Sequence, residues 1–266
     1  MTPLGLDWPH DVGELYEDKD VGFGMDRRLR CPHHQTTDEG GRCGIWAHRN
    51  ATCATWFCRH ERGETGRAVW MAIRDLLTAI DRTLTWFAVD ELGISDERRE
   101  LLSDRPGLLR GAALVDGHPG GEPTEDNRRR VWGRWFGREL EFYEASARVV
   151  AEADPEALRA RVDSATKARV DKLNDALEGL NQPPPRAPVK QRFTSVERPD
   201  GTSQVQAYSQ YDPIVLPTDV VRALDVFDGA PLQLIHHRLA ERGVSWADLD
   251  LRQLLDFRLL AAKDAS

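Results

Sequence analysis

All four cysteines of the chain, Cys31, Cys43, Cys53 and Cys58, lie between residues 31 and 58. Thiolate sulfur is a soft donor that suits zinc or an iron–sulfur cluster, and one such centre takes four ligands. Cys53 and Cys58 are near enough in sequence to share one metal, and Cys31 and Cys43 would close the site from flanking loops. Gly40, Gly41 and Gly44 allow a tight backbone path there. Trp46, Trp56 and Phe57 could form a dry lid, since burial is one way a protein sets a cluster's potential. The spacing lacks the closely set cysteine pair of a zinc finger, so an iron–sulfur cluster ranks ahead of zinc. His33, His34, His48 and His60, with His10 farther off, are alternative ligands, although each reads more simply as a surface or supporting residue. The plain alternative for the cysteines is a set of buried thiols packing a small core.

Residues 42–58, Arg-Cys-Gly-Ile-Trp-Ala-His-Arg-Asn-Ala-Thr-Cys-Ala-Thr-Trp-Phe-Cys, resemble the signature of the zinc- or iron-chelating cysteine-cluster proteins, Cys-x-Ile-aromatic-x-x-Arg-Pro-x-x-Cys-Arg-x-aromatic. Cys43, Ile45, Trp46, Arg49, Cys53 and the aromatic pair before Cys58 match in place. Asn50 stands where the family has proline, Ala54 where it often has arginine, and the family's upstream group of cysteines is reduced to Cys31. The resemblance covers residues 31–60. It implies Cys31, Cys43, Cys53 and Cys58 as metal ligands, with Trp46, Arg49, Trp56 and Phe57 beside the cofactor. The implied cofactor is an iron–sulfur cluster of the 4Fe-4S type, with zinc as the alternative. Flagellin lysine N-methylases resemble the same family, so an enzymatic use of the centre is conceivable. The sequence has no glycine-rich strand-to-helix turn of the kind that binds a nucleotide.

Composition narrows the partners. The chain has 266 residues, 30% of them charged, and a formal net charge of −8. A basic run, Asp26-Arg27-Arg28-Leu29-Arg30, stands in the lead-in, but an acidic chain as a whole disfavours nucleic acid. No apolar run approaches bilayer length and no leader pattern is visible near Met1, so the expected compartment is the cytoplasm, without a membrane. Thiols stay reduced there, which favours metal ligation over disulfides.

The elements that must position these residues read as mostly helical. Residues 1–30 suggest an extended lead-in beside the metal loop. Thr65 can cap a long helix carrying Val69, Ile73, Leu76, Leu77, Ile80, Leu84 and Phe87, with Gly93 as its stop. Ser95 begins a short helix, and residues 117–123 form a loop. Thr124 caps a helix with Trp132, Trp135, Phe136, Leu140 and Tyr143 on one face, and Pro155 opens another that runs to Leu180. The proline-rich residues 181–188 are a stiff linker. Residues 191–196 and 203–208 then alternate around a Pro-Asp-Gly turn, a hairpin signal. Amphipathic helices follow at 218–227, 231–241 and 245–257.

The C-terminal part resembles winged-helix peptide-binding domains through its apolar spacing and the Asp228-Gly229 turn. That implies a peptide or protein partner there. Asp248, Asp250 and Asp256 against Arg252 and Arg258 on its last helix disfavour DNA. Asp116, His118, Glu122, Glu125 and Asp126 could form an acid–base or hard-metal site but read more simply as a solvated loop. Adjacent His236 and His237 must point to different faces of their helix.

The combined reading is a mainly α protein in three parts: a cysteine-cluster metal-binding region (1–61), a helical domain (62–182) and a small winged-helix-like α+β unit (189–266). Its expected role is redox or sensory. The alternatives are a cluster-dependent enzyme acting on a small molecule or peptide, and a zinc-stabilised adaptor.

Overall fold

A computed structural model of the chain describes residues 2–5, 31, 33–38, 40–57, 59–94 and 125–263. The short helix expected from Ser95, the 117–123 loop, the Thr124 cap, His10, Cys58 and most of the 1–30 lead-in lie outside the described residues. What is described is mainly helical, with small antiparallel sheets concentrated toward the C-terminus. It divides into two compact units, residues 1–50 with 79–163, and residues 51–78 with 164–266.

A one-turn helix, α1 (Ala51–Thr55), precedes the 29-residue α2 (Gly63–Glu91), whose length is shared between the units. In α2 an apolar residue returns every three or four positions with no proline to interrupt it, so one stripe can be buried along its length. It begins at Gly63, two residues before the predicted cap; Gly63 takes a left-handed φ of 50° and its N–H bonds His60 O at 2.9 Å. It ends at Gly93 (φ 66°), as expected, with Gly93 N–H bonded to Asp90 O and Ile94 N–H to Val89 O. That pair of bonds is the Schellman cap, which satisfies the last carbonyls of the helix.

Among its described residues the first unit carries a two-stranded hairpin, β1 (His34–Thr37) with β2 (Gly40–Cys43), and a helical cluster of α3 (Glu125–Trp132), α4 (Glu139–Ala151) and α5 (Pro155–Ala160). Val89, Ile94, Val131, Trp132 and Phe142 form its buried core, with Trp135, Phe136 and Tyr143 packed around them. Tyr143 Oη donates to Thr2 O at 2.7 Å and ties down the turn at residues 2–5. The tryptophans thus serve as helix core.

The sequence predicts one helix through residues 124–143, and the structure breaks it. Gly133 (φ 52°) and Gly137 (φ 75°) both adopt left-handed backbone, which breaks the hydrogen-bond ladder inside a right-handed helix. Leu140 consequently turns outward and is 72% exposed rather than joining the apolar face. The helix opened by Pro155 starts as predicted, with Asp154 accepting from Glu156 N–H at 3.2 Å. It is then interrupted at residues 161–163, and α6 (Ser164–Gly179) continues as a separate helix.

The second unit contains α6, β3 (Pro188–Lys190), β4 (Thr194–Glu197), β5 (Thr202–Gln206), β6 (Ile214–Pro217), α7 (Thr218–Ala223), α8 (Leu232–Glu241), α9 (Leu251–Asp256) and β7 (Leu260–Ala262). The predicted hairpin is present: β4 and β5 pair through Asp200-Gly201, and β6 adds a third antiparallel strand. The linker reading holds for exposed residues 181–184, but Pro188 begins β3, which pairs with β7 in the register Val189↔Ala261. Alternation along β5 and β6 sends Val205, Ile214 and Leu216 into one core with Leu224, Phe227, Ile235, Leu239, Leu254 and Leu259. Ile235 and Leu239, one turn apart on α8, are fully enclosed, which stabilises the module by about 2 kcal/mol for each side chain. Among the described residues no helix is long and apolar enough to cross a membrane.

Candidate functional site

The β1–β2 hairpin positions two of the cysteines. In its register Cys43 lies opposite His34, and His34 N–H bonds Cys31 O at 3.0 Å in a tight turn. Gly44 N–H reaches His33 O at 2.8 Å, so residues 31 and 43 both lie toward the open end of the hairpin. A Cβ on Gly41 would sit 2.3 Å from His34 Nε2, the far end of an exposed side chain that can swing aside. Cys31 is exposed and Cys43 half-buried. Cys53 sits in the middle of α1 and is exposed, while Cys58 lies outside the described residues. Among the described residues no group of three or more His, Cys, Asp or Glu side chains is arranged to hold a metal ion.

The aromatic lid expected over the centre is not a dry enclosure. Trp46, Trp56 and Phe57 are 66%, 55% and 43% exposed. The short hairpin and one-turn helix offer too little apolar surface to cover large rings. Instead, Arg49 lies over Trp46 at 3.5 Å from the ring centroid and donates from Nε to Trp46 O at 3.2 Å. Phe57 packs on Trp70 with centroids 4.7 Å apart.

His60, one of the alternative ligands, is engaged elsewhere. Its backbone N–H donates to Asp212 at 3.0 Å, its Nδ1 lies 3.9 Å from the same carboxylate, and its side chain is only 7% exposed. Burial lowers its pKa below the usual histidine value, outweighing the attraction of Asp212. Asp212 also accepts the Tyr208 hydroxyl, and burial together with that bond raises the tyrosine pKa far above its ordinary value.

Nearby, the buried Asp256 accepts from Arg62 and lies 3.7 Å from Arg252. Both arginines also donate to the carbonyl of Leu180. This network locks the start of α2, the end of α6 and α9 together. Sequence reading missed it because its partners lie up to 194 positions apart and each looks like an ordinary surface charge. The one available signal was Asp212 and Asp256 set among apolar residues, where a carboxylate needs a cation or N–H donor.

The remaining candidates fall into ordinary roles. Glu125 pairs with Arg129 along α3, and Asp126 is exposed. Asp116, His118 and Glu122 lie outside the described residues. His236 packs edge-on against Trp246, and its neighbour His237 reaches Glu241 at 3.3 Å, so the two do diverge. Comparison with protein-family models, curated proteins and solved structures finds no match for this chain.

Proposed function

We propose that residues 31–58 bind a metal centre through Cys31, Cys43, Cys53 and Cys58, and that this centre is an iron–sulfur cluster of the 4Fe-4S type with a redox or sensory role. The observation that supports this reading is the exposure of the thiols. Unmodified cysteine is among the most buried residue types, yet Cys31 and Cys53 are exposed and Cys43 is only half-buried. Buried thiols packing a small core therefore do not account for them. A lone two-stranded hairpin is at best marginally stable in water, and a structural metal is a common remedy for so small a segment. In the same reading the protein works in a reducing cytoplasm. Its C-terminal unit is a winged-helix-like module that meets a peptide or protein partner.

Anaerobic purification followed by absorption spectroscopy and metal analysis tests the proposal. The expected outcome is a brown protein with about four iron and four sulfide per chain, lost when Cys43 or Cys53 is replaced by serine. Stoichiometric zinc in a colourless protein would overturn the redox role and leave the zinc-stabilised adaptor. Metal-free protein indifferent to both substitutions would overturn the centre itself.

A further inference from the structure

We infer that the depression lined by Arg67, Arg192, Arg258 and Tyr208 binds an oxyanion, the carboxylate or phosphate group of a small ligand. The depression encloses about 550 Å³. It rests on observations other than those of the cysteine segment.

Strand register brings the arginines together. β3 and β7 pair at Lys190↔Leu260, and Gln191 N–H extends the ladder to Leu259 O at 2.8 Å. Arg192 follows Gln191 and Arg258 precedes Leu259 at the end of this ladder, and both line the depression. Like charges gathered in one depression repel unless something between them is negative. Elsewhere in this unit arginines meet carboxylates: Arg62 and Arg252 at Asp256, Arg222 at Glu197, Arg238 at Asp228. Glu64, the acidic residue of the depression, is already held by Arg67 in a two-pronged pair of 2.7 and 3.0 Å. Among the described residues Arg192 and Arg258 meet no carboxylate, although the chain carries 44 acidic residues. The forked guanidinium matches the planar edge of a carboxylate or phosphate.

The backbone at Arg258 carries the second argument. Arg258 N–H bonds Leu255 O and Leu259 N–H bonds Leu254 O, which is the Schellman cap again. The same bonds close α2 and α8, where the residue in left-handed conformation is Gly93 or Gly243. At the end of α9 it is Arg258, with φ 60°, the one described non-glycine residue in that region. A position whose geometry suits glycine holds a long cation instead, and strain of this kind gathers where a side chain is used.

Tyr208 completes a rigid wall. Its hydroxyl is fixed on Asp212, and its ring faces Arg67 at 5.8 Å. A second depression of about 500 Å³ shares Arg192 and Tyr208 and continues along Thr194 and Gln206, leaving room for the body of a ligand beyond its charged group.

The test uses the full chain in low-chloride buffer, with inorganic phosphate and succinate as separate probes read by titration calorimetry and thermal melting. At least one is expected to bind saturably and raise the melting temperature, and the one that does so identifies the oxyanion. R192A and R258A should each weaken that binding at least tenfold, while R222A leaves it unchanged. R258G separates ligand from fold: the unliganded variant should melt higher than the parent, because strain is relieved, yet bind the anion at least tenfold more weakly. The inference is overturned if neither probe does more than equal ionic strength of chloride, or if R192A and R258G bind as the parent does.

Discussion

The cysteine segment and the C-terminal module are built on opposite principles. In the module, strands, helices and termini from distant parts of the sequence surround a continuous apolar core, and the buried carboxylates Asp212 and Asp256 are each satisfied by several donors. Among the described residues of 31–57 the buried side chains are Ala51 and Thr55, the large rings face solvent, and a two-stranded hairpin and one-turn helix provide regular structure. One region is determined by what it excludes from water. The other presents thiols and aromatic faces to water, and under the proposed function its order depends on the metal centre. Substitutions should therefore separate the two, with large stability effects in the module and ligand-dependent effects in the segment.

The largest effect is expected where α2 meets α9. A Cβ on Gly63 would lie 2.7 Å from Asp256 O and 2.8 Å from Phe257 Cδ2, and Gly63 already sits at φ 50°. Gly63→Ala combines left-handed strain with a backbone clash and should cost about 3 kcal/mol or more, read from the denaturant midpoint. Asp256→Ala, which leaves Arg62 and Arg252 facing each other over an empty site, should cost about 2–3 kcal/mol, the lower part of the usual range because Arg62 is partly solvated. If both variants unfold at the parent's midpoint, the module is not organised by this junction.

The next effect sharpens the other side of the comparison. Removing metal with a chelator should raise protease cleavage within residues 31–58 by about tenfold, equivalent to about 1.4 kcal/mol of local stability. The thermal transition of the C-terminal core should stay within its measurement error. A common shift of both transitions would show that the two regions unfold as one and would break the contrast.

A smaller effect belongs to His60. Its burial keeps the imidazole neutral in the fold, with a pKa below the ordinary value of about 6.5. As pH falls through about 6.5 the unfolded chain binds a proton that the folded chain does not, so the unfolded state gains. The contribution of His60 is thus fully present above pH 6.5 and is lost as pH falls through the lower folded value. Melting followed from pH 7.5 to 5 should show this decline, and His60→Gln should flatten it while carboxylate titration at lower pH remains.

What could be read from the sequence follows the same division. The 191–208 hairpin, the Gly93 stop and the start of α5 at Pro155 were legible because each is set by neighbouring residues: turn chemistry, a left-handed cap, a fixed proline φ. The break at Gly133 and Gly137 was not, because glycine within an apolar pattern is compatible with a helix until tertiary packing selects the left-handed backbone. The pairing of β3 with β7 joins segments more than seventy residues apart, and nothing in the short runs Pro188–Lys190 and Leu260–Ala262 announces the partner. The proposed cysteine donor set rests on residue type and can be named from sequence alone, whereas the arginine-lined depression became visible only once the fold brought Arg192 and Arg258 to one surface.

The smallest effect tests how the exposed face of the cysteine segment is held. Arg49 covers the ring of Trp46 and returns a bond to its carbonyl, so the pair stiffens the turn after β2 without burying either residue. An exposed cation–π contact contributes about 0.5–1 kcal/mol. Arg49→Ala should leave global stability nearly unchanged, since the contact lies outside the apolar cores. Arg49→Lys should retain part of the ring contact but lose the planar fork. The readout is metal affinity in the reconstituted protein: if the turn orders Cys43 for ligation, Arg49→Ala should weaken it about threefold, the equivalent of the lost contact, and Arg49→Lys less. Equal affinity in all three proteins would mean that the Trp46 face is independent of the cysteines, and that the bound centre alone orders the segment.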